Sequence, residues 1–326
     1  MKQKNYNIEL IRLICFLMVI VIHVTNYFCR SYGAISFGEY VFAFSLNSIS
    51  RISIPCFFMI SGYLLLGRDE SSSKILKRVA RFSGVLLFWT FVYFVFNNYY
   101  THQTWSWKQF FKTPVEAHLW YLYAIIPLYL MLIPFRKIFS KLSTKTIKIM
   151  AIIIGLIYVY AYTCQIDLHI QYLCFFILGY IISRIINELH LKQELCLVIF
   201  WVCNIINIVY GIIKTLHLNR YASMVTQYRN PIIVLGAISF FVYVIQYQNG
   251  NVQLSDRLQK LVESCCACSF GVYLIHIIFL DIYKQNFTST RFSVYVAVPM
   301  LTVIISVLSI VSIYMTRKTT FGRHVA

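Results

Sequence analysis

Residues 8–28 read IELIRLICFLMVIVIHVTNYF and decide the class of fold. The stretch is apolar and 21 residues long, and an α-helix needs about 20 residues to cross the hydrocarbon of a bilayer. Arg12 and His23 interrupt it. Ionisable side chains inside a membrane span are costly unless they face the protein interior or water and have a partner. The stretch therefore predicts a membrane helix with a functional polar stripe.

The stripe has a definite geometry. Arg12 and His23 are eleven residues apart, which is about 16 Å along a helix and close to three whole turns, so they project from one face. Glu9, three residues before Arg12, can share the guanidinium charge and leave the other donors for a ligand. The alternative is a snorkelling arginine plus a histidine at a helix contact. Snorkelling accounts for Arg12 near the start of the stretch but not for His23 deep inside it.

Composition extends this prediction to the whole chain. A sequence of 326 residues that is 59% hydrophobic and 12% charged is neither an ordinary soluble protein nor a disordered one. We expect an all-α, polytopic membrane protein with about ten spans in a single domain over residues 1–326. The apolar stretches are 8–28, 40–66, 79–97, 118–135, 147–163, 172–186, 195–213, 231–247, 269–283 and 293–315.

The net charge of +18 is spread over several loops. Because no basic domain collects it, the charge argues against nucleic-acid binding and favours contact with anionic lipid headgroups. With ten spans and the N-terminus inside, the inner connections hold 19 of the 29 Lys and Arg residues. The positive-inside rule then predicts that both termini are cytoplasmic.

One inner loop concentrates basic residues. Lys77, Arg78 and Arg81 are spaced so that their charges gather on one helical face, which suits the phosphates of a cytoplasmic cofactor. A solvated stripe facing lipid headgroups is the alternative. No cluster of carboxylates and histidines has the spacing of a metal site, so no metal is predicted.

The second apolar stretch carries a polar set. Proline removes a backbone donor and glycine permits close approach, so Pro55 and Gly62 predict a distorted helix in which Arg51, Ser61 and Tyr63 line a polar cavity. Ser61-Gly62 as a helix-packing contact is the alternative. The G-x-S-x-G context of a hydrolase nucleophile is absent, which disfavours serine chemistry.

The connection over residues 217–230 is also polar and aromatic, with Tyr221, Tyr228 and Arg229 among its side chains. Such a loop suits anchoring at the membrane interface. Aromatic faces beside hydrogen-bonding groups also suit a sugar or a lipid-linked substrate.

Four separated motifs follow one another along the chain. They are Glu9-x-x-Arg12 with His23; Pro55, Phe57-Phe58 and Ser61-Gly62-Tyr63; His118-Leu-Trp120-Tyr-Leu-Tyr123 with Pro134; and Ser269-Phe-Gly271-Val-Tyr273-Leu-Ile-His276. Together they resemble the membrane acyltransferase-3 family, integral membrane O-acyltransferases that modify bacterial surface glycans. The resemblance runs from about residue 7 to residue 315 and departs from many members at Glu9, where they have Asp.

The resemblance implies transfer of an acyl group, usually acetyl from acetyl-coenzyme A, to a hydroxyl of a saccharide or cell-envelope precursor at the bacterial cytoplasmic membrane. On this hypothesis Arg12, helped by Arg51, binds a phosphate or polar arm group of the donor, and His23 is the general base on the acceptor hydroxyl. Ser61, Tyr63 or a backbone donor would stabilise the oxyanion. An acyl-histidine intermediate stays open.

The later motifs imply further substrate contacts at His118, Trp120, Tyr273 and His276. An interfacial anchor at His118 and a satisfied core histidine at His276 are the alternatives. A transporter or exporter of a polysaccharide or lipid-linked intermediate would also place ionisable groups inside its helices, and it remains the rival function. The acceptor and the oligomeric state are not fixed by the sequence.

Overall fold

A computed structural model describes residues 6–101, 113–164, 171–188, 191–247, 255–320 and 322–325. These residues are largely helical and contain no β-strand. The helices are α1 (Tyr6–Cys29), α2 (Phe37–Ser50), α3 (Ser53–Leu65), α4 (Ser72–Tyr99), α5 (Trp120–Ser140), α6 (Thr144–Thr163), α7 (Gln171–Ile185), α8 (Gln193–Leu218), α9 (Pro231–Tyr247), α10 (Asp256–Asn286), α11 (Val294–Thr316) and α12 (Gly322–Val325), with 3₁₀ turns at Ala117–Leu119 and Ser223–Thr226.

The prediction of an all-α, polytopic membrane protein is confirmed. In the described part of the chain, nine helical stretches are long and apolar enough to cross a membrane, one fewer than the ten predicted spans. The predicted span 40–66 is α2 and α3 together, and the span 172–186 falls on α7, which has 15 residues and is shorter than a full crossing. The cytoplasmic position of the termini stays a prediction.

Helix α1 lies inside the bundle. It packs against α2, α3, α9, α10 and α11, and half of its apolar span is buried. Its polar stripe therefore faces protein and not lipid, as the cost of an ionisable group in hydrocarbon requires. We call the end of the bundle at Tyr6 the N-terminal side and the end at Cys29 the opposite side.

A break in the second span turns Arg51 toward the interior of the bundle. Helix α2 ends at Ser50 and α3 begins at Ser53. Pro55 is tolerated because it lies in the first turn of α3, where backbone N–H groups have no partner within the helix. Arg51 Nε donates to Asn47 Oδ1 at 3.0 Å, and Asn47 Nδ2 donates to Ile22 O of α1 at 3.1 Å. The break is thus bonded to the helix that carries His23.

The crossing of α3 and α7 explains Gly62. A Cβ atom on Gly62 would lie 1.7 Å from the carbonyl oxygen of Phe176, and one on Gly179 would lie 2.0 Å from the carbonyl oxygen of Met59. Only glycine allows this approach of two backbones. Gly62 is therefore a helix-packing contact, as the alternative interpretation of Ser61-Gly62 predicted. The neighbouring Ser61 instead lines a cavity that is described below.

Candidate functional site

Three histidines from distant parts of the chain meet in the interior. The ring centroid of His23 lies 5.0 Å from that of His276 and 6.3 Å from that of His118. The rings of His118 and His276 are 5.4 Å apart. Helices α1 and α10 supply His23 and His276, and the 3₁₀ turn before α5 supplies His118. The predicted site residues of three separate motifs thus form one cluster.

Two of the histidines are fixed by backbone carbonyls. His276 Nδ1 donates to Tyr273 O at 2.7 Å, and His118 Nε2 donates to Leu274 O at 3.2 Å. Since a carbonyl only accepts, these nitrogens carry the proton of the neutral rings. The other ring nitrogens, His276 Nε2 and His118 Nδ1, are buried and have no hydrogen-bond partner among the described residues. The hydroxyl of Tyr273 donates to His118 O and holds the turn against α10. Two acceptor nitrogens therefore remain available in the cluster.

His23 differs from the other two histidines. It meets its described neighbours through ring contacts, and no hydrogen bond to a described residue fixes its tautomer. It also opens on a cavity of about 140 Å³, which we call the His23 cavity, whose polar and aromatic lining includes Asn26, Arg51, Trp120, Tyr228 and Tyr273. Of the three histidines, His23 alone lines this cavity.

A second cavity of about 240 Å³ lies toward the N-terminal side around Arg12, and we call it the Arg12 cavity. Arg12 pairs with Glu9 at 2.8 Å, as the i, i+3 spacing predicted. Ser61 Oγ lies 3.4 Å from Tyr129 Oη. Tyr273 lines both this cavity and the His23 cavity, so the two adjoin. The remaining lining is Phe57, Ile60, Phe82, Tyr121, Cys266, Ser269 and Phe270.

A third and larger cavity, of about 630 Å³, lies on the opposite side, and we call it the polar cavity. It shares Asn26, Arg51 and Tyr228 with the His23 cavity. The lining that the structure describes holds three arginines and no Asp or Glu. The remaining lining residues are Arg30, Gln171, Tyr172, Tyr221, Ser223, Thr226, Gln227 and Arg229.

The three basic residues predicted to bind cofactor phosphates divide into two groups. Arg78 forms a bidentate ion pair with Glu70, with N–O distances of 3.0 and 3.2 Å. Its guanidinium also lies over the ring of Tyr129, 5.8 Å from the centroid. It is therefore next to the Arg12 cavity. Lys77 and Arg81 are exposed on α4. The hydrogen bond from Arg78 lowers the pKa of Glu70, so this carboxylate is held in its charged form.

Arg51 and Tyr63 lie away from the positions that their predicted roles in donor binding and oxyanion stabilisation require. Arg51 lines the His23 and polar cavities and not the Arg12 cavity, so the structure does not bring it to Arg12 as a second donor-binding arginine. Tyr63 packs edge-on against Phe241 and lines none of the three cavities. An oxyanion role for Tyr63 at His23 has no support here.

Several lining residues had not been predicted. Asn26 follows His23 by three residues and so lies on the same helical face, a spacing that could have revealed it. Asn47 holds Arg51 but gives no sequence signal of its own. Tyr121 and Tyr129 lie in the aromatic-rich α5, where nothing separates cavity residues from packing residues. Among the described residues no His, Cys, Asp and Glu group is arranged to hold a metal; the need for none stays a prediction.

The family model described as an acyltransferase domain, that of acyltransferase-3, matches residues 5–317. This match covers all four sequence motifs and the three cavities. No curated protein and no solved structure matches the chain.

Proposed function

We propose that this chain, which belongs to the acyltransferase-3 family, is an integral membrane O-acyltransferase of the bacterial cytoplasmic membrane. It transfers an acyl group, acetyl, from acetyl-coenzyme A to a hydroxyl of a cell-surface saccharide or cell-envelope precursor, with His23 as general base. The observation that carries the proposal is that His23 lines a cavity that adjoins the Arg12 cavity on one side and the polar cavity on the other.

The Arg12 cavity suits the acyl donor. Its one arginine is paired with Glu9, so the lining is close to neutral, and the pantetheine arm of coenzyme A is a neutral chain of amides. Its aromatic rings offer apolar contact, while Ser61 and the remaining Arg12 donors offer hydrogen bonds. If the N-terminal side is cytoplasmic, the nucleotide end of coenzyme A would lie near Arg78, with Lys77 and Arg81 on the same exposed helix. The arm would then point toward His23, about 16 Å along α1 from Arg12.

The transfer balances with these groups. An acceptor hydroxyl beside His23 gives its proton to the unprotonated ring nitrogen, and the oxygen attacks the thioester carbonyl. The C–O bond forms and the C–S bond then breaks. The leaving thiolate takes the proton from the imidazolium, and His23 is neutral again. His118 and His276, with their unpaired acceptor nitrogens, can accept hydrogen bonds from His23 or from the substrates and so orient the reacting groups.

The developing oxyanion needs a donor close to His23. Asn26 lies one turn after His23 and lines the same cavity, so its amide is the preferred donor. This replaces Tyr63 in the mechanism. Trp120 and Tyr273 line the same cavity and would confine the substrates. Removal of water by such walls strengthens every electrostatic contact inside.

The test is transfer of radiolabelled acetyl from acetyl-coenzyme A in membranes that carry intact envelope glycans. Wild type should label a glycan and His23→Ala should not, at matched protein abundance. His217→Ala is the matched control, because this histidine is exposed in the last turn of α8. Label that still reaches the glycan at the wild-type rate with His23→Ala would refute the base. Movement of an unmodified glycan across the membrane, without consumption of the thioester, would favour the exporter.

A further inference from the structure

We infer that the polar cavity binds an acidic saccharide, and that Arg51 holds its carboxylate or phosphate while a hydroxyl of the same molecule reaches His23. The acylation of the sugar hydroxyl at His23 rests on the proposed function. Binding of the acidic sugar does not, and it can be measured without the reaction. This inference narrows the acceptor from any saccharide to one that carries a negative charge.

Arg51 is the first reason. Its guanidinium donates to Asn47 Oδ1 at 3.0 Å and to Tyr228 Oη at 3.5 Å, and both acceptors are neutral. The ion pairs formed within the described ranges join other residues, so no carboxylate there compensates this partly buried cation. An unpaired charge away from bulk water is costly. A bound anion would remove that cost and accept two parallel hydrogen bonds from the planar guanidinium.

The other charges of the polar cavity have the same sign. Arg30 and Arg229 line it together with Arg51, and the described residues of this lining include no Asp or Glu. Three like charges around one concave surface raise the local concentration of anions. A neutral glycan gains nothing from this field, whereas an acidic one is attracted to it.

Aromatic faces supply the second reason, and they point to a sugar. Trp120 stacks on Tyr172 with ring centroids 4.7 Å apart, and the Tyr228 ring lies 6.1 Å from that of Trp120. Such rings cover the apolar face of a pyranose while its hydroxyl groups meet polar atoms at the edge. Tyr172 and Tyr228 line the polar cavity, and Trp120 lines the adjoining His23 cavity. Gln171 also lines the polar cavity, and its buried Oε1 has no hydrogen-bond partner among the described residues. It is positioned to accept a hydrogen bond from a hydroxyl.

Shared lining connects recognition with the reaction. Arg51, Asn26 and Tyr228 belong to both the polar cavity and the His23 cavity. An anion on Arg51 would therefore anchor the sugar at the boundary between them. A hydroxyl on a neighbouring carbon could then enter the His23 cavity, which places the selection for charge next to the reacting oxygen.

The test measures binding without the donor. Full-length protein in nanodiscs is titrated with matched sugars by saturation-transfer NMR: methyl glucuronoside against methyl glucoside, and glucose 6-phosphate against glucose. The acidic member of a pair should bind about tenfold more tightly, the size expected for one charge-assisted contact. The ratio should fall to near one in Arg51→Gln and be partly retained in Arg51→Lys. The two pairs distinguish carboxylate from phosphate as the preferred anion.

Arg184→Gln is the control, because it removes an exposed charge from the last turn of α7 and should leave the ratio unchanged. Unfolding temperatures of all variants separate loss of binding from loss of fold. Equal binding of acidic and neutral sugars, absence of saturable binding by either acidic sugar, or an unchanged ratio in Arg51→Gln would overturn the inference. So would competitive displacement by coenzyme A, which would assign the cavity to the donor. Acidic-sugar binding without any acyl transfer would leave this inference standing and refute the enzyme.

Discussion

The Arg12 cavity and the polar cavity both expose arginine to the interior of the bundle, but they treat its charge differently. Near the Arg12 cavity, Arg12 is paired with Glu9 and Arg78 with Glu70. In the polar cavity, Arg51 contacts neutral oxygens of Asn47 and Tyr228. Arg12 and Arg78 therefore have carboxylate partners, whereas Arg51 has none among the described residues.

This contrast in charge indicates which ligand each cavity suits. A guanidinium that already has a carboxylate partner keeps donors for amide or hydroxyl oxygens but offers little net charge. A guanidinium without one gains most from an anion. The thioester donor presents a neutral arm to the interior, so it fits the Arg12 cavity. An acidic acceptor fits the polar cavity, and His23 lies where the two meet.

Substitution of His23, whose cavity adjoins both of the others, should lower turnover most. His23→Ala should lower the rate of transfer by about 10²- to 10⁴-fold, the usual contribution of a general base. Binding of donor and of acidic sugar should change little, because the guanidinium groups of Arg12 and Arg51 are held by residues other than His23. Equilibrium binding of each ligand, measured beside turnover, checks this. Loss of either binding along with transfer would show that the cavities are not separate sites.

His276→Gln gives the matched comparison within the cluster. It removes an acceptor nitrogen beside His23 but leaves a polar side chain. Transfer should fall less than in His23→Ala and retain its dependence on acceptor concentration. A larger loss in His276→Gln than in His23→Ala would make His276 the base.

A more modest effect should separate the two arginines. Arg12→Gln should raise KM for the donor and leave KM for the acceptor near its wild-type value, while Arg51→Gln should do the reverse. Loss of one hydrogen bond to a ligand from a charged group costs about 1.5–3 kcal/mol, which corresponds to about ten- to a hundredfold in KM. Initial rates over a grid of both substrates provide the measurement. If both substitutions raised the same KM, the two cavities would serve one ligand.

Features that follow from the spacing of residues along one helix could be predicted from the sequence. Arg12 and His23 share a face of α1 because eleven residues are close to three turns, and Glu9 meets Arg12 for the same reason. Apolar length predicted most of the spans. The predicted span 172–186 lies within one residue of α7, and both have 15 residues. It was counted as a crossing although a crossing needs about 20 residues.

Properties that depend on packing between helices were not accessible in this way. The meeting of His23, His118 and His276 requires α1, α5 and α10 to converge, and no local spacing encodes that; only the resemblance to a family suggested all three. Arg51 was assigned to Arg12 because both are cations within spans, but α3 carries Ser61 and not Arg51 to the Arg12 cavity. Ser61 and Tyr63 were assigned together although two residues rotate a helix by about 200°, which sends their side chains to opposite faces.

The mildest effect concerns two carboxylates at opposite ends of the bundle. The hydrogen bond from Arg78 lowers the pKa of Glu70 from 4.5, and burial followed by repulsion from Asp281 raises the pKa of Glu116 from the same value. Ionised Glu70 therefore stabilises the fold above pH 4.5, and this contribution is lost as the pH falls through its lowered pKa. The contribution of Glu116 has the opposite sign. It is present below pH 4.5 and is lost as the pH rises through the raised pKa.

Thermal unfolding of the Glu70→Gln and Glu116→Gln variants in nanodiscs, between pH 4 and pH 7, should show stability changes of opposite sign. At pH 7, Glu70→Gln should be less stable than wild type, by less than about 1 kcal/mol because solvent screens the pair. Glu116→Gln should be more stable than wild type at pH 7, since glutamine cannot ionise and still accepts the hydrogen bond from Ala117 N that Glu116 accepts at 3.2 Å. Both differences should shrink toward pH 4, where wild-type Glu116 is protonated and Glu70 starts to gain a proton. If both substitutions changed the stability at pH 7 in the same direction, the two ends of the bundle would treat their carboxylates alike. The electrostatic difference between the two sides would then be limited to the cavities.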